Sequence, residues 1–322
     1  MSATLTDVAR RAGVSLATAS RAFGDPSRLA TATREKVIRA ALDLEYAAPQ
    51  AAQATRTLGV VVPDVSNPVY GALIRSINAQ AWHGRHRVML FNTDENPHRE
   101  REQIEEGGQL DGLLLCSPRL TEDEIINHAG DRPLVVVNRE ISGAPSVMMD
   151  TDHGLRQTVE HLGALGHHHI AYAAGPLHSW ADGRRADTIT ALSEEFGLEL
   201  TRLTHHAASI LGGRAAAATA MASKATAVIA YNDLVALGVQ AGIADLGLRC
   251  PDDISIVGID DIEIGAAVQP PLTTVHLAIE RAGALAVDLL LEKIAGSSEP
   301  TTYRLDSQLI VRGSTGRPKS RA

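Results

Sequence analysis

Two spacings of apolar residues divide the chain. Over residues 4–46 they recur every three or four positions: Leu5, Val8 and Ala9, then Ala19, Ala22 and Phe23, then Val37, Ile38, Ala41, Leu42 and Leu44. That period predicts three helices. Thr4 with Asp7 three residues on is a variant of the capping box and opens the first helix at about Leu5. Gly13 ends it, because a left-handed turn favours a residue without Cβ. Ser15 can cap a second helix in "LATASRAF", and Thr31 opens a third in "ATREKVIRAALDLEY". Two short helices on a tight turn, braced by a longer third, make a helix-turn-helix.

From Leu58 the pattern changes to short apolar runs: "LGVVVPD", "HRVMLFNTD", "DGLLLCS", "PLVVVNRE", "HIAYAAG", "TAVIAYND" and "SIVGIDD". Each is rich in Val, Ile or Leu and is followed by a helix-forming stretch, as in parallel sheets buried on both faces. So many strands ask for two sheets. The predicted fold is therefore an all-α helix-turn-helix headpiece followed by an α/β core of two doubly wound parallel-sheet lobes. Ligands of such sheets bind outside the carboxyl ends of the strands, which here would face one another across a cleft. Between head and core lies "AAPQAAQATRT", where Pro49 at a helix start followed by Ala-Ala-Gln-Ala favours a short helix.

A length of 322 residues agrees with two or more domains. Apolar residues make up 44% and charged residues 21%, and no stretch approaches the roughly 20 apolar residues of a membrane span. The first residues are amphipathic and charged and lack the apolar core of a signal peptide. Cys116 and Cys250 are far apart in apolar surroundings and read as reduced, buried thiols of a cytoplasmic, nucleoid-associated protein. Charge is uneven. Residues 1–58 carry eight basic against five acidic residues, a net of +3, which leaves −11 on the remainder of a chain whose net is −8. A basic head on an acidic body suits a head that meets a polyanion.

The second helix of a helix-turn-helix enters the major groove with its N-terminal residues towards the base edges. Here those are Ser15, Leu16, Ala17 and Thr18, with Arg21 one turn on. The stretch "TLTDVARRAGVSLATASRAF…TREKVIRAALDLEY" closely resembles the headpiece of the lactose-repressor/galactose-repressor (LacI-type) family of bacterial transcription regulators. The resemblance puts Leu16, Ala17 and Arg21 at base-reading positions and Thr4, Thr18, Ser20 and Thr33 at the phosphate backbone; Arg28 and Ser15 complete the DNA-binding set. Of the readers only Arg21 can bond guanine in bidentate fashion, while Leu16 and Ala17 offer apolar contact, for example to a thymine methyl. The alternative for Ala17 is a small helix former, and for Thr18 a partner of the cap. In the family the hinge forms a minor-groove helix whose leucine wedges between base steps. This chain departs from that: the run from Tyr46 to Gly59 is short, and no leucine lies between Tyr46 and Leu58. The wedge is not carried over.

The body resembles the family's effector domain, itself like periplasmic sugar-binding proteins, through "VVPDVSNPVYGALIRSI", "LDGLLLC", "VEHLGALGHHHIAY", "AVIAYNDLVALG" and "CPDDISIVGIDDIEIGAAVQPPLTTV". The resemblance divides the chain into a head (1–48), a shortened hinge (49–57) and a core (58–322). It has the core cross between lobes near Met149–Asp150, His276 and Pro300. Lobe 1 is then 58–149 with 277–299, and lobe 2 is 150–276 with 300–322. Matching positions give an effector pocket of Val69, Tyr70, Ser117, Asn138, Arg139, Arg185, Asn232 and Asp260. Asp260 can accept two hydroxyl hydrogen bonds, Arg185 offers a fork of donors, and Asn232 offers both donor and acceptor. Such a set suits the vicinal hydroxyls of a sugar or ribose, with Tyr70 or Trp180 stacking on the ring face. The competing reading has Asp233, Asp261 and Asp260 capping helices or holding backbone. Arg184 rivals Arg185, and "GRRADTI" departs from the family's usual ending of this motif, which leaves the local pocket shape open.

Other clusters carry less. "HHH" at His167–His169 lacks ligand spacing, as does His205–His206, so no metal site is expected. "EEGGQLDG" reads as a loop, and no GxGxxG, GxxxxGK[ST] or nucleophile elbow is present, so neither cofactor nor catalytic residue is assigned. No heptads follow "RLDSQLIVRGSTG", which argues against a coiled-coil tetramer, and "RPKSRA" reads as a disordered tail. The expected function is a ligand-responsive repressor, homodimeric on a palindromic operator of double-stranded DNA, controlled by a sugar, sugar phosphate or nucleoside. A sugar sensor with weak DNA binding and an enzyme on a Rossmann-like fold are the alternatives.

Overall fold

The computed structural model describes residues 3–24, 29–44, 46, 55–296 and 299–319. Two compact units divide the chain, Met1–Thr55 and Arg56–Ala322. Arg28 and residues 49–54 of the expected hinge lie outside the described residues. The last expected hinge residue, Thr57, is the first residue of a strand, and Arg56 is anchored to Asp111 at 2.8 Å.

The head holds α1 (Leu5–Ala12), α2 (Leu16–Gly24) and α3 (Thr31–Asp43). The capping box closes in both directions: the Asp7 N–H donates to Thr4 Oγ1 at 3.3 Å and the Thr4 N–H donates to Asp7 Oδ2 at 3.0 Å. Gly13 takes the left-handed turn at φ 65°, and Ser15 Oγ accepts from the Thr18 N–H at 3.1 Å. Val8, Ala9, Ala12, Ala19, Ala22, Val37, Ala40 and Ala41 form the core, with Phe23 against Tyr46 at 5.8 Å between ring centroids. Leu42, expected inward, is 73% exposed. Val37, Ala40, Ala41 and Leu44 make the inward stripe, and Leu42 lies about 100° further round the helix from Ala41.

The core unit has two six-stranded sheets. The first runs β11 (Thr302–Leu305), β5 (Ser146–Met149), β4 (Leu134–Val137), β3 (Gly112–Cys116), β1 (Thr57–Val62) and β2 (Arg87–Asn92). The second runs β12 (Gln308–Ile310), β10 (Thr273–His276), β9 (Ser255–Asp260), β8 (Ala227–Ala230), β6 (His169–Ala173) and β7 (Glu199–Arg202). Every pairing is parallel except β10 with β12. Alternation along the strands fills both faces of the first sheet. Leu58, Val60, Val62 and Leu114 pack with α4 (Pro68–His83) and α12 (Ile279–Ile294), whereas Val61, Leu113 and Leu115 pack with α5 (Pro97–Glu106) and α6 (Glu122–Ala129). The second sheet carries α7 (Asp152–Leu165), α8 (Trp180–Phe196), α9 (Ile210–Ala222), α10 (Asp233–Asp245) and the short α11 (Glu263–Ala267).

The chain crosses between the sheets after Met149 and after His276, but the third crossing is not at Pro300. Strand β11 pairs with β5, Thr302 opposite Ser146 through Leu305 opposite Met149, so the chain stays in the first lobe to Leu305 and enters the second at Gln308. The expected tail is also corrected for residues 317–319. Ser314 Oγ accepts from the Thr273 N–H at 2.7 Å and Lys319 Nζ donates to Asp253 at 2.6 Å; residues 320–322 lie outside the described set. "EEGGQLDG" is the end of α5 followed by a 3-10 turn at Gly107–Gln109, and not a plain loop. Cys116 is buried, Cys250 is half-buried with its Sγ donating to Ser314 O at 3.2 Å, and burial pushes both thiols up to about 12. Among the described residues no helix is long and apolar enough to cross a membrane.

Helices α9 and α10 meet backbone to backbone. A Cβ on Gly238 would lie 2.2 Å from Ile210 O, and one on Gly213 would lie 2.1 Å from Val235 O. Gly238→Ala should therefore cost about 1–3 kcal/mol in urea unfolding, through forced separation of the helices. Gly163→Ala, in α7 with nothing within 4 Å of its added Cβ, should be neutral or stabilising by up to about 1 kcal/mol. In the head, Thr4→Ala removes the cap and should cost about 1 kcal/mol, read as a lower melting temperature of the isolated 1–55 transition.

Candidate functional site

On α2, Leu16, Ala17, Ser20 and Arg21 are all exposed, and their spacing puts them on one helical face. Leu16, at 51% exposure, is a large apolar side chain held in water at the helix start. Thr18 is half-buried, its N–H and hydroxyl both on Ser15 Oγ, the latter at 2.8 Å, so it serves as the cap partner. The Thr4 hydroxyl is committed to Asp7 at 2.5 Å. Thr33 is half-buried near the start of α3. Arg10 and Arg11 form loose pairs with Asp7 (3.4 Å) and Asp43 (3.3 Å).

In the core, functional candidates gather at the carboxyl ends of the strands. From the first lobe, Asn67 caps α4 through its Oδ1 and sets Val69 and Tyr70, both buried, at the first turn. Ser117 after β3 and Asn138 after β4 both adopt positive φ, 47° and 62°, and Asn138 Nδ2 donates to Ser117 Oγ at 3.1 Å. Arg119, which sequence reasoning missed, is buried and grips Glu95 with Nε at 2.5 Å and Nη2 at 2.9 Å while Nη1 donates to Ser117 O. Burial raises the Tyr70 phenol, which lies in the fields of Arg119 and of Tyr231 from the other lobe. Arg139 does not join this group. Its Nη1 donates to Pro118 O and Leu120 O, at 3.3 and 2.5 Å, and so holds the loop.

From the second lobe, Ser179 caps α8, putting Trp180 first and Arg185 in the second turn. Arg185 is 4% exposed. Its Nη1 donates to Tyr231 O at 2.5 Å, its guanidinium lies 4.9 Å over the Tyr231 ring, and its Nη2 stands 3.8 Å from Asp260 Oδ1. Its Nε is buried without an acceptor. Asp260 ends β9 at φ 124° and is 6% exposed; burial holds its carboxyl well above the usual range, partly offset by Arg185 and reinforced by Asp233. At 3.8 Å the pair attracts but makes no hydrogen bond. Asn232 is also buried, and its Oδ1 is spent on capping α10 from the Val235 N–H at 2.9 Å, which leaves its amide N–H groups for other use.

The geometry separates the rivals. Arg184 is exposed, pairs with Asp152 at 3.2 Å and lies 5.9 Å over the Trp180 ring, so one face of Trp180 is already covered. Asp233 accepts from the Ile262 N–H and Thr274 Oγ1, at 2.8 and 2.5 Å, and burial raises it to about 6. Asp261 holds His276 at 3.0 Å and Arg312 at 2.6 Å. Both are structural, whereas Asp260 is not similarly tied. A cavity between the lobes is lined by Asn138, Trp180 and Arg185 together with Asp150 and Arg304, which are themselves paired at 3.0 Å. The signal for Tyr231 stood in "AYND", an aromatic residue leaving a buried strand beside Asn232. The histidine runs bond locally: His167 to Thr226 Oγ1 and Gly316 O, His169 to Thr201 Oγ1, His205 to Gly175 O. Among the described residues no three metal-ligating groups cluster.

Comparison with known proteins gives the frame for this geometry. Residues 4–49 match the family of bacterial regulatory proteins, lacI family, and residues 159–315 match a periplasmic binding protein-like domain. The chain is 31% identical to the HTH-type transcriptional repressor PurR of Vibrio campbellii, over 96% of this chain and 98% of that protein. The lac repressor dimer bound to operator and the anti-inducer ONPF has a similar structure, with TM-score 0.74 at 26% identity over 98% of this chain and 100% of that one. A LacI family regulator from Enterococcus faecium with bound ribose gives TM-score 0.74 at 27% identity, covering 82% of this chain and 100% of that one. With an exposed helix-turn-helix face, a two-lobed core and relatives matched along almost their whole length, the chain belongs to the LacI family and is a ligand-responsive, DNA-binding transcriptional regulator.

Proposed function

We propose that this regulator is a cytoplasmic repressor and not an enzyme, that it binds a palindromic operator as a homodimer, and that a hydroxylated small molecule in the core cleft controls its affinity. The effector class is a sugar, sugar phosphate or nucleoside. One observation carries the reading: a buried guanidinium with an unspent N–H faces a buried carboxylate that it does not hydrogen-bond. Leaving such groups unpaired in a low-dielectric site is costly, and a ligand hydroxyl, which donates and accepts at once, relieves both. Asn138 lines the cavity with Arg185 and bonds Ser117, Tyr70 lies in the field of Tyr231, and Asn232 offers its amide N–H groups from the second lobe. Val69 supports Tyr70 from the same turn of α4, and Arg139 acts through the 118–120 loop. Ligand binding between the lobes draws them together, and a change in their relative orientation is the two-state element that couples effector to DNA.

At the head, Arg21 supplies the bidentate contact to guanine while Leu16 and Ala17 supply apolar contacts. Thr4, Ser15, Thr18, Ser20, Arg28 and Thr33 serve backbone positioning, directly or through the helix caps. The absence of a leucine between Tyr46 and Leu58 favours a second reading, a sensor whose DNA binding is weak. A gel shift with salt varied separates the two. A discrete footprint supports the repressor, and only a weak, steeply salt-dependent shift supports the sensor.

The effector reading is tested by thermal shift against pentoses, hexoses and nucleosides. A ligand at 100 times its Kd should add about 2.7 kcal/mol of stability. Asp260→Ala should abolish that response while DNA binding persists; a normal response in that variant would refute the cleft assignment. Arg21→Ala, assayed on an operator selected from random DNA, should lose about 1–3 kcal/mol and relax base preference at one position per half-site.

A further inference from the structure

Tyr231 meets both Arg185 and the cap of the helix that carries it. Its main-chain carbonyl accepts Arg185 Nη1 at 2.5 Å, its ring lies 4.9 Å beneath the guanidinium, and its hydroxyl is 3.0 Å from Ser179 Oγ, the cap of the helix on which Arg185 rides. The ring also lies against Gly175, where an added Cβ would come within 2.4 Å of it. The Gly175 N–H in turn donates to Asp182 Oδ1 at 2.6 Å, so this floor is fixed. Tyr231 is 6% exposed and packs in the core of the second lobe, directly after the small and aliphatic strand Ala227–Ala230.

We infer that Tyr231 is a positioning residue of the cleft: it holds the Arg185 guanidinium off Asp260, so that both groups stay open to a ligand. Without the ring, the guanidinium keeps the main-chain carbonyl on Nη1 but loses its support beneath, and from 3.8 Å its Nη2 closes on the buried carboxylate to form the charge-assisted pair that such groups prefer when desolvated. That pair satisfies the two groups with one another and leaves neither for a hydroxyl. Tyr231 therefore acts as a positioning residue through Arg185, and Gly175 is the vacancy that admits its ring. The inference rests on the proposed reading of the cleft as an effector site.

The test uses the full chain and calorimetric titration with D-ribose, D-galactose and adenosine. Tyr231→Ala should weaken the probe that binds the wild type about thirtyfold, the equivalent of a desolvated cation–π contact of about 2 kcal/mol. Tyr231→Phe, which keeps the ring, should stay within about threefold, the scale of one neutral hydrogen bond. Gly175→Ala should reproduce much of the Tyr231→Ala loss by displacing the ring without altering it. Arg185→Lys should cost far less in the Tyr231→Ala background than alone, because the two act as one unit. Wild-type affinity in Tyr231→Ala, or strictly additive losses in the double variant, would overturn the inference and leave the cleft reading standing. Failure of all three probes to bind the wild type would overturn the cleft reading and this inference with it. A single cooperative urea transition and unchanged DNA gel shifts in the variants exclude misfolding as the cause, and Tyr231→Phe, which keeps the packing, gives the comparison for any lowered midpoint.

Discussion

Burying a guanidinium and a carboxylate together, close enough to attract and too far apart to bond, is the constraint around which the second lobe is arranged. Each ion loses several kcal/mol of hydration when it leaves water, and only close hydrogen bonding returns that energy. Here Arg185 is compensated from elsewhere, by a main-chain carbonyl and by the face of an aromatic ring, while Asp260 is left with a long-range attraction. Such an arrangement survives because the elements around it are rigid. Ser179 and Asn232 cap the two helices that enter the site, Asp182 ties the Gly175 turn, and Asp233 binds the turn after β9. The structural carboxylates are saturated with donors, so that the one left open is distinguished by chemistry and not by burial alone.

The first lobe reaches the same end by a different route. Arg119 is buried like Arg185, but Glu95 and the Ser117 carbonyl engage each of its three guanidinium nitrogens, which makes it a strut. Ser117 and Asn138 sit at left-handed φ at the ends of neighbouring strands, a strained backbone that turns their side chains towards each other. One lobe thus offers settled hydrogen-bonding groups, and the other an unspent pair.

Much of this was legible in the residues. Apolar period marked the three head helices and the seven strongest strands, whereas it was the resemblance to the LacI-type family that put Arg185 and Asp260 in one site. The strands that escaped notice are the polar or very short ones, Glu199–Arg202, Thr273–His276, Thr302–Leu305 and Gln308–Ile310, and Ser146–Met149 between loop residues. Edge position explains three of them: with one neighbour and a solvated side, β7, β11 and β12 need no apolar run. Leu42 was misjudged because a residue one step off a helical stripe keeps its composition but not its direction. Arg119 was invisible as a site residue because its importance lies in what it does to other side chains, which spacing does not encode, and Tyr231 showed only as an aromatic residue leaving a buried strand.

The late crossing at Leu305–Gln308 has a mechanical meaning. Asp150 at the first crossing donates its N–H to Leu305 O at 2.9 Å, and Gln308 just past the third stands opposite His276 at the second. The three connections therefore lie side by side as a hydrogen-bonded ribbon, with the third in the middle. A ribbon of that kind bends easily out of its plane and resists shear within it, much as a leather hinge does. Two lobes joined in this way are not two beads on separate strings: a shift of any one connection has to be taken up by the strand hydrogen-bonded beside it.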